Sequence, residues 1–339
     1  MTLLFGESYD WLTSATLLTR KWTTKGAVGT YTFEAGRTGN CLKLTHSSNN
    51  VLIEETKGIG AGIASGVFGA ALKTDHIAQR VGLTLFDVAT EQLSVWTEAD
   101  GSVTLRRGNR AATIIAQSAS GLISAGVFFY MELKATIDNA VGSAIVQIDG
   151  TIAINVSGAD TQATANSTFN VIGHSTYTVS TQGSYIDDTY FCDLNGSVNN
   201  DFLGSVKIHA IFPTGAGANT DWTPNTGANY AAVDDANPDD ATTYIQSDTP
   251  GNKDTYIFGN LPAGVWDVLA IQHNIMAQAS ARTIRGLERV GGVDYETATA
   301  TPAATYNETL IVTEISPDTA VAWTQAEIDA SEFGVKVQA

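Results

Sequence analysis

Cysteine is nearly absent from this sequence, with two in 339 residues, Cys41 and Cys192. That is too few for a disulfide scaffold or a zinc site. Both lie in strand-like runs, NCLKL and TYFCDL, and are expected as buried thiols acting as small hydrophobes. A bond between them would require the first and last strands of their domain to lie side by side. Long apolar runs are missing too. The longest, such as VFFYM at 127–131, are strand-sized, so no helical membrane span is expected. The opening MTLLFGESYDWL lacks a basic region, a long apolar stretch and a small-residue cleavage site, so no signal peptide is expected. The expectation is a soluble protein made in a cytoplasm. The sequons at Asn155, Asn166, Asn195 and Asn307 then read as chance matches.

Positive charge is scarce. There are 18 Lys and Arg against 35 Asp and Glu, a net charge of −17. Such a surface repels phosphate backbones and anionic lipid, which argues against nucleic-acid partners and membrane insertion. The deficit is uneven: residues 1–196 hold 12 basic and 17 acidic residues, and residues 197–339 hold 6 and 18. This shift marks a domain boundary near residue 197.

What is present is apolar content of 43%, enough for a packed core, in a chain rich in Gly, Thr, Ser, Ala and Asn. Thr favours strands, and Gly and Asn permit the positive φ of tight turns. Apolar and polar residues alternate from about residue 40 onward. CLKLTH, RVGLTLFD, LSVWTEA, SVTLRRG, VFFYMELKATI, AIVQIDG and IAINVSG read as strands, with Asp100-Gly101, Asp149-Gly150 and Asn195-Gly196 as turns. No helical run of useful length separates them, which excludes a parallel α/β fold. The fold class is therefore all-β, two tandem antiparallel β-sandwiches.

After residue 199 the texture changes. NNDFLGSVKIHAIFP reads as a strand closed by Pro213, and a polar, loop-rich stretch of some forty residues follows. Strands resume at TYIFGNL, VWDVLAIQHNIMAQ, ARTIRGLERV, YNETLIVTEIS and FGVKVQA. A helical turn is expected in TQAEIDASE, where Thr324 followed by Glu327 makes a capping box.

Three segments carry a resemblance. GRTGNCLKL (36–44), VFFYMELKATIDNAVGSAIVQIDGTIAINVSGADTQ (127–162) and YIDDTYFCDLNG (185–196) together resemble the concanavalin A-like, laminin-G-like jelly rolls of phage structural proteins. In those domains a Y-x-E-L-K strand precedes a hairpin and an IDD strand closes the domain. The stretch from Asn200 to Phe258, and PDTAVAWTQAEIDASEFGVKVQA at 317–339, look like the β-sandwich module found behind that domain in tailed-phage virion proteins. The resemblance implies a lectin-like jelly roll at 31–196, a smaller β-sandwich module at 197–339 and an N-terminal arm or docking segment at 1–30. It also implies a virion component on the particle surface, in the head or the tail. Its partners would be other virion proteins, further copies of itself, a trimer being expected, and a host-surface glycan. A lectin-like, carbohydrate-binding adhesin is the alternative.

Hydrolases that share the lectin-like sandwich carry acids at alternate positions of one strand, Glu-x-Asp-x-Glu, so that two carboxylates enter one cleft. This chain has no such triplet. Its adjacent acids, Glu54-Glu55 and Asp187-Asp188, fall on strands where neighbours point to opposite faces. No nucleophile elbow, phosphate-binding loop or His/Cys cluster occurs, and His209 and His273 in apolar strands read as core or edge residues. The expectation is a non-enzyme with no catalytic residue and no cofactor. Calcium is the ion that the acidic loops would suit, at Asp193, Asn195, Asn200 and Asp201 and at Asp234, Asp235, Asp239 and Asp240. Solvated turns in which Asp and Asn cap their own backbone are the favoured reading of both loops. Trp222 and Tyr230, in the long polar stretch, are the candidate ligand or interface residues, with packing favoured over sugar binding.

Overall fold

The computed structural model describes residues 3–26, 28–179, 181–279 and 281–338. Alternation gives strands a wet and a dry face, and two such sheets bury their dry faces together. The chain forms two units that divide at Ile208/His209. Both are β-sandwiches.

In the first unit one sheet has seven strands, in the spatial order Thr113–Gln117, Val103–Arg107, Thr90–Thr97, Arg80–Asp87, Phe169–Tyr177, Leu52–Ile63 and Thr24–Lys25. The other runs Thr151–Ala159, Gly142–Ile148, Phe129–Thr136, Ser65–Thr74, Ser184–Asp193, Asn40–Thr45 and Thr30–Ala35, with Leu3–Glu7 also pairing to Ser184–Asp193. Adjacent strands are antiparallel. The two hairpins legible in the sequence close as their turn residues require. Asp149 and Gly150 take φ of 50° and 76°, the two-residue turn whose twist matches the flanking strands. At the other, Gly101 has φ 77° and the Asp100 carboxylate accepts hydrogen bonds from Ser102. Between the sheets lie Leu83, Leu85, Val95, Leu105, Phe68, Leu72, Met131 and Leu133, all buried. Ring contacts between Phe68 and His174 and between Phe169 and Phe191 bridge the two sheets.

Residues 3–22 are not an arm. Leu3–Glu7 is a strand of the eight-stranded sheet, and Phe5, Tyr9, Leu12, Leu18 and Trp22 are each at most 1% exposed. Trp22 packs edge-on to Phe5 and stacks with Tyr9. So much aromatic surface is worth several kcal/mol in a core, at about 25 cal/mol per Å². It would be costly on a free extension.

The boundary expected at 197 moves by about a dozen residues, for a related reason. The outer face of the eight-stranded sheet carries Val67, Ala71, Tyr130, Tyr190 and Cys192, and Phe202, Leu203 and Val206 pack against it. The covering chain is tied down through its backbone. Gly204 N–H donates to Glu132 (2.9 Å), Leu203 N–H to the Tyr190 hydroxyl (3.1 Å) and Ile208 N–H to Asp188 (2.8 Å). Of the strand expected at 199–213, the part up to Ile208 is therefore a strap over a sheet, Ile211 packs against the core of the second unit, and the next strand begins at Pro213.

Strand Ser184–Asp193 changes partner at a bulge. It pairs with Asn40–Thr45 through Ile186 and with Leu3–Glu7 from Thr189 onward. Asp187 and Asp188 lie at the changeover, with Asp188 at φ 44°. Asp187 accepts from the Arg37 backbone N–H (2.7 Å), and Asp188 pairs with the Arg37 guanidinium (3.2 Å). Burial, then the charge of Asp188, pushes the Asp187 carboxyl up to about 8. Burial pushes Asp188 up to about 6, against the hydrogen bond from Ile208 and the charge of Arg37. The changeover also keeps the thiols apart. Cys192 sits opposite Leu3, Cys41 at the far end of the bulge, and both are buried thiols outside any disulfide.

The second unit has a five-stranded sheet in the order Pro213–Thr220, Lys253–Phe258, Glu332–Gln338, Thr283–Val290 and Val293–Ala300, with a separate pair, Ile271–Ala277 and Asn307–Thr313. His273 of that pair reaches the large sheet, 3.0 Å from Glu288 and in ring contact with Phe333. Val290, Trp323, Ile328 and Phe333 form the core. Thr324 caps the short helix Gln325–Asp329 by accepting from Glu327 N–H. The forty-residue polar stretch holds Thr223–Pro224 paired with Ile245–Gln246 and a 3₁₀ turn, Tyr230–Ala232. It is organised by a buried carboxylate: Asn229 bridges Asp254 and the Trp222 carbonyl.

Candidate functional site

The face of the seven-stranded sheet that turns away from the core is polar, and its register brings functional groups together. Gly82 lies opposite Trp96 and Ser175, Ser175 opposite Glu54, and Trp96 opposite Thr104. A Cβ at Gly82 would come within 2.3 Å of the Val95 carbonyl and 3.0 Å of the Trp96 ring, so the bare backbone is what lets the indole lie on the sheet. The Trp96 ring N–H donates to Ser94 (2.9 Å), and Ser94 donates to the Gly108 carbonyl (2.6 Å). Thr84 and Ser175 are 3.2 Å apart, and Ser175 donates to Glu54 (2.9 Å). The hydroxyls of this face are thus satisfied within the chain, and Thr84, Ser94, Trp96, Thr104 and Ser175 are all buried.

At one end of it three arginines gather on one carboxylate. Glu98 accepts from Arg80 Nε (3.2 Å), from Arg106 Nη2 (3.0 Å) and from the Thr104 hydroxyl (2.8 Å). Arg80 also donates to the carbonyls of Ile77 and Ala78, and Arg106 to that of Ala112. Arg110 is held differently. Its Nη2 is 3.7 Å from Glu98, its guanidinium lies 5.4 Å over the Tyr177 ring, and its Nε is buried without a hydrogen-bond partner. Burial alone would raise the proton affinity of Glu98. The hydrogen bonds from Thr104 and Arg106 and the charges of Arg110 and Arg80 outweigh it, and the carboxyl lies below its usual range. The Arg110 guanidinium is pushed down by burial and by the charges of Arg80 and Arg106, against the charge of Glu98.

Glu54 and Glu55 separate to opposite faces. Glu54 is half-buried on the polar face, and its carboxyl is raised by burial and by the charge of Glu91, against the hydrogen bond from Ser175. Glu55 is fully buried inside the sandwich. It accepts from the Tyr9 hydroxyl (2.6 Å) and lies 3.0 Å from His174, whose other nitrogen meets Thr189 (3.1 Å).

The residues singled out in the sequence lie elsewhere. Asp193 accepts from Asn195, Asn200 donates to the Gly196 carbonyl, and Asp201 accepts from Lys134 and Phe202 N–H. Asp235 and Asp239 accept from Thr243, Asp234 is exposed, and Asp240 takes φ 60°. Among the described residues no group of three or more His, Cys, Asp or Glu side chains is placed to hold a metal. Trp222 is half-buried and spends its ring N–H on the Asn252 carbonyl (3.2 Å), while Tyr230 sits on the 3₁₀ turn. The residues missed were Arg80, Glu98, Arg106, Arg110 and Tyr177, while Trp96 is buried as a strand-borne core residue should be. A signal existed in the Arg106-Arg107 pair of SVTLRRG. Neighbours on a strand diverge, and Arg107 pairs with Asp160 while Arg106 turns to Glu98.

No family model matches the sequence, and no curated protein matches it. Solved structures do. A sialidase is similar with a TM-score of 0.43 at 12% identity, over 56% of this chain and 18% of that one, so this chain spans less than a fifth of the sialidase. A carbohydrate-binding module from Bacillus subtilis has a TM-score of 0.37 at 11% identity, covering 51% of this chain and 96% of its own. A carbohydrate esterase from the Shiga toxin-encoding bacteriophage phi24B has a TM-score of 0.39 at 13% identity, covering 56% and 98%. Binding modules and enzymes both occur among these structures, so the likeness does not separate recognition from catalysis.

Proposed function

We propose that this chain is a non-enzymatic surface component of a tailed-phage particle. It is present in several copies, and it recognises a host-surface glycan through the polar face of the seven-stranded sheet. The observation that carries the reading is the state of that face. Its hydroxyls are satisfied within the chain, and the carboxylate at one end of it, Glu98, is held by three arginines. A carboxylate held ionised in this way cannot supply the proton that glycoside cleavage needs. A fixed cluster of partly exposed guanidiniums beside the half-buried Tyr177 ring suits recognition instead, since little side-chain entropy is lost on binding. The test is a glycan array with the purified chain, together with immunogold labelling of intact particles. Binding without turnover, and label on the particle surface, are expected. Depolymerisation of a polysaccharide that disappears in Glu54→Gln would overturn the non-enzymatic reading, since Glu54 is a carboxyl of this face with raised proton affinity.

A further inference from the structure

The geometry points to the Arg110 end of the polar face as the seat of a carboxylate-bearing sugar, so that the glycan recognised is acidic. This rests on the glycan reading above and narrows it. Positive charge is the rarest commodity of a chain with net charge −17, yet three of its arginines converge on one glutamate. Asp100, the next acid along, is already hydrogen-bonded to Ser102. Arg80 and Arg106 are spent: their donors go to Glu98, to backbone carbonyls and to Thr104. Arg110 is not. It donates no hydrogen bond among the described residues, although its side chain is only 27% exposed.

The charge of Glu98 and the Tyr177 ring repay only part of the desolvation of this guanidinium, because its donors make none of the hydrogen bonds that are worth about 1.5–3 kcal/mol each to a charged group. The guanidinium lies 5.4 Å over the Tyr177 ring with Nε buried, which leaves the two terminal nitrogens of a side chain 27% exposed for an outside acceptor. A carboxylate matches that fork with two parallel hydrogen bonds, which a neutral sugar hydroxyl cannot do. The site would therefore take the carboxylate of a uronic acid or a similar acidic residue. Beside it, Tyr177 is partly exposed, while Ser94, Thr84 and Ser175 are buried and support the sheet from within.

The test titrates the full-length protein with an oligogalacturonide and with its fully methyl-esterified form, which keeps the sugar and masks the charge. The acid form is expected to bind at least tenfold more tightly, with an affinity that falls as salt is raised. Arg110→Lys keeps the charge but removes the fork, and should weaken acid binding about tenfold with an unchanged melting temperature. Equal affinity for the two forms, an unaffected Arg110→Lys, or a preference for sulfated over carboxylated sugars would overturn the acidic-sugar assignment and leave the glycan reading standing. A blank response to acidic and neutral glycans alike would overturn both.

Discussion

Asp187 and Asp188 show how much a single pair of side chains decides in this chain. Read in sequence, they are neighbours on a strand whose side chains should diverge. In the fold they mark the point where one strand exchanges partners, and both are wholly buried. No sequence pattern announces such a changeover, because it depends on Leu3–Glu7 arriving beside Thr189 from the far end of the chain. The pair has a consequence for pH. Both carboxyls are raised, Asp187 to about 8 and Asp188 to about 6, so the folded protein holds protons that the unfolded chain has released. Stability from this pair is therefore full below about pH 4 and falls as pH rises toward 8, by at most about 1.4 kcal/mol per pH unit for each proton. Asp188→Asn removes the like charge that helps raise Asp187. Urea midpoints measured from pH 5 to pH 9 should decline less steeply in that variant than in the wild type. An unchanged slope would mean that Asp188 neither takes up a proton on folding nor raises its neighbour.

At the scale of elements, the strands that alternate cleanly were legible, and those that serve as packing were not. Gly142–Ile148 and Thr151–Ala159 close on Asp149-Gly150 as their residues require. Val293–Ala300 escaped notice because VDYETATA is an edge strand with few buried positions, although Gly291-Gly292 supplies its turn at φ 58° and 84°. Residues 3–22 and 197–208 escaped for another reason: each covers a surface contributed by distant strands. Two predictions separate packing from appendage. Trp22→Ala should cost about 3–5 kcal/mol, as loss of a fully buried aromatic does, and should show in thermal unfolding of the first unit; an arm would tolerate it without change. In the strap, Leu203→Asp with Val206→Asp should lift the cover from Cys192 and make one thiol per chain reactive to a thiol reagent. Cys41 should stay protected, since it lies outside that cluster and burial pushes its thiol up to about 12. Two unreactive thiols in this variant would show that the sheet is covered by something else.

At the scale of the whole molecule, composition set the broad terms and topology the site. Few charges, many Thr and Gly, and recurrent turn dipeptides led to two antiparallel sandwiches, because no other arrangement buries so many short amphipathic strands. The polar face was invisible by the same logic. Each of its residues occupies an ordinary outward position, and only the register places Arg80, Arg106 and Arg110 around Glu98. The acidity does retain meaning once the boundary is corrected. Residues 209–339 hold 5 basic and 17 acidic residues, so the second unit carries −12 on its own. Like charges at that density repel over the Debye length, about 30 Å at 0.01 M ionic strength and about 10 Å at 0.1 M, and this repulsion is relieved on unfolding. Calorimetry of the full chain should therefore give two transitions. The one displaced by Phe333→Ala, which lies in the core of the second unit, should rise more between 0.01 M and 0.3 M salt than the one displaced by Trp22→Ala. Equal salt responses would place the excess negative charge too far apart to matter for folding, and would leave its purpose to be sought in assembly.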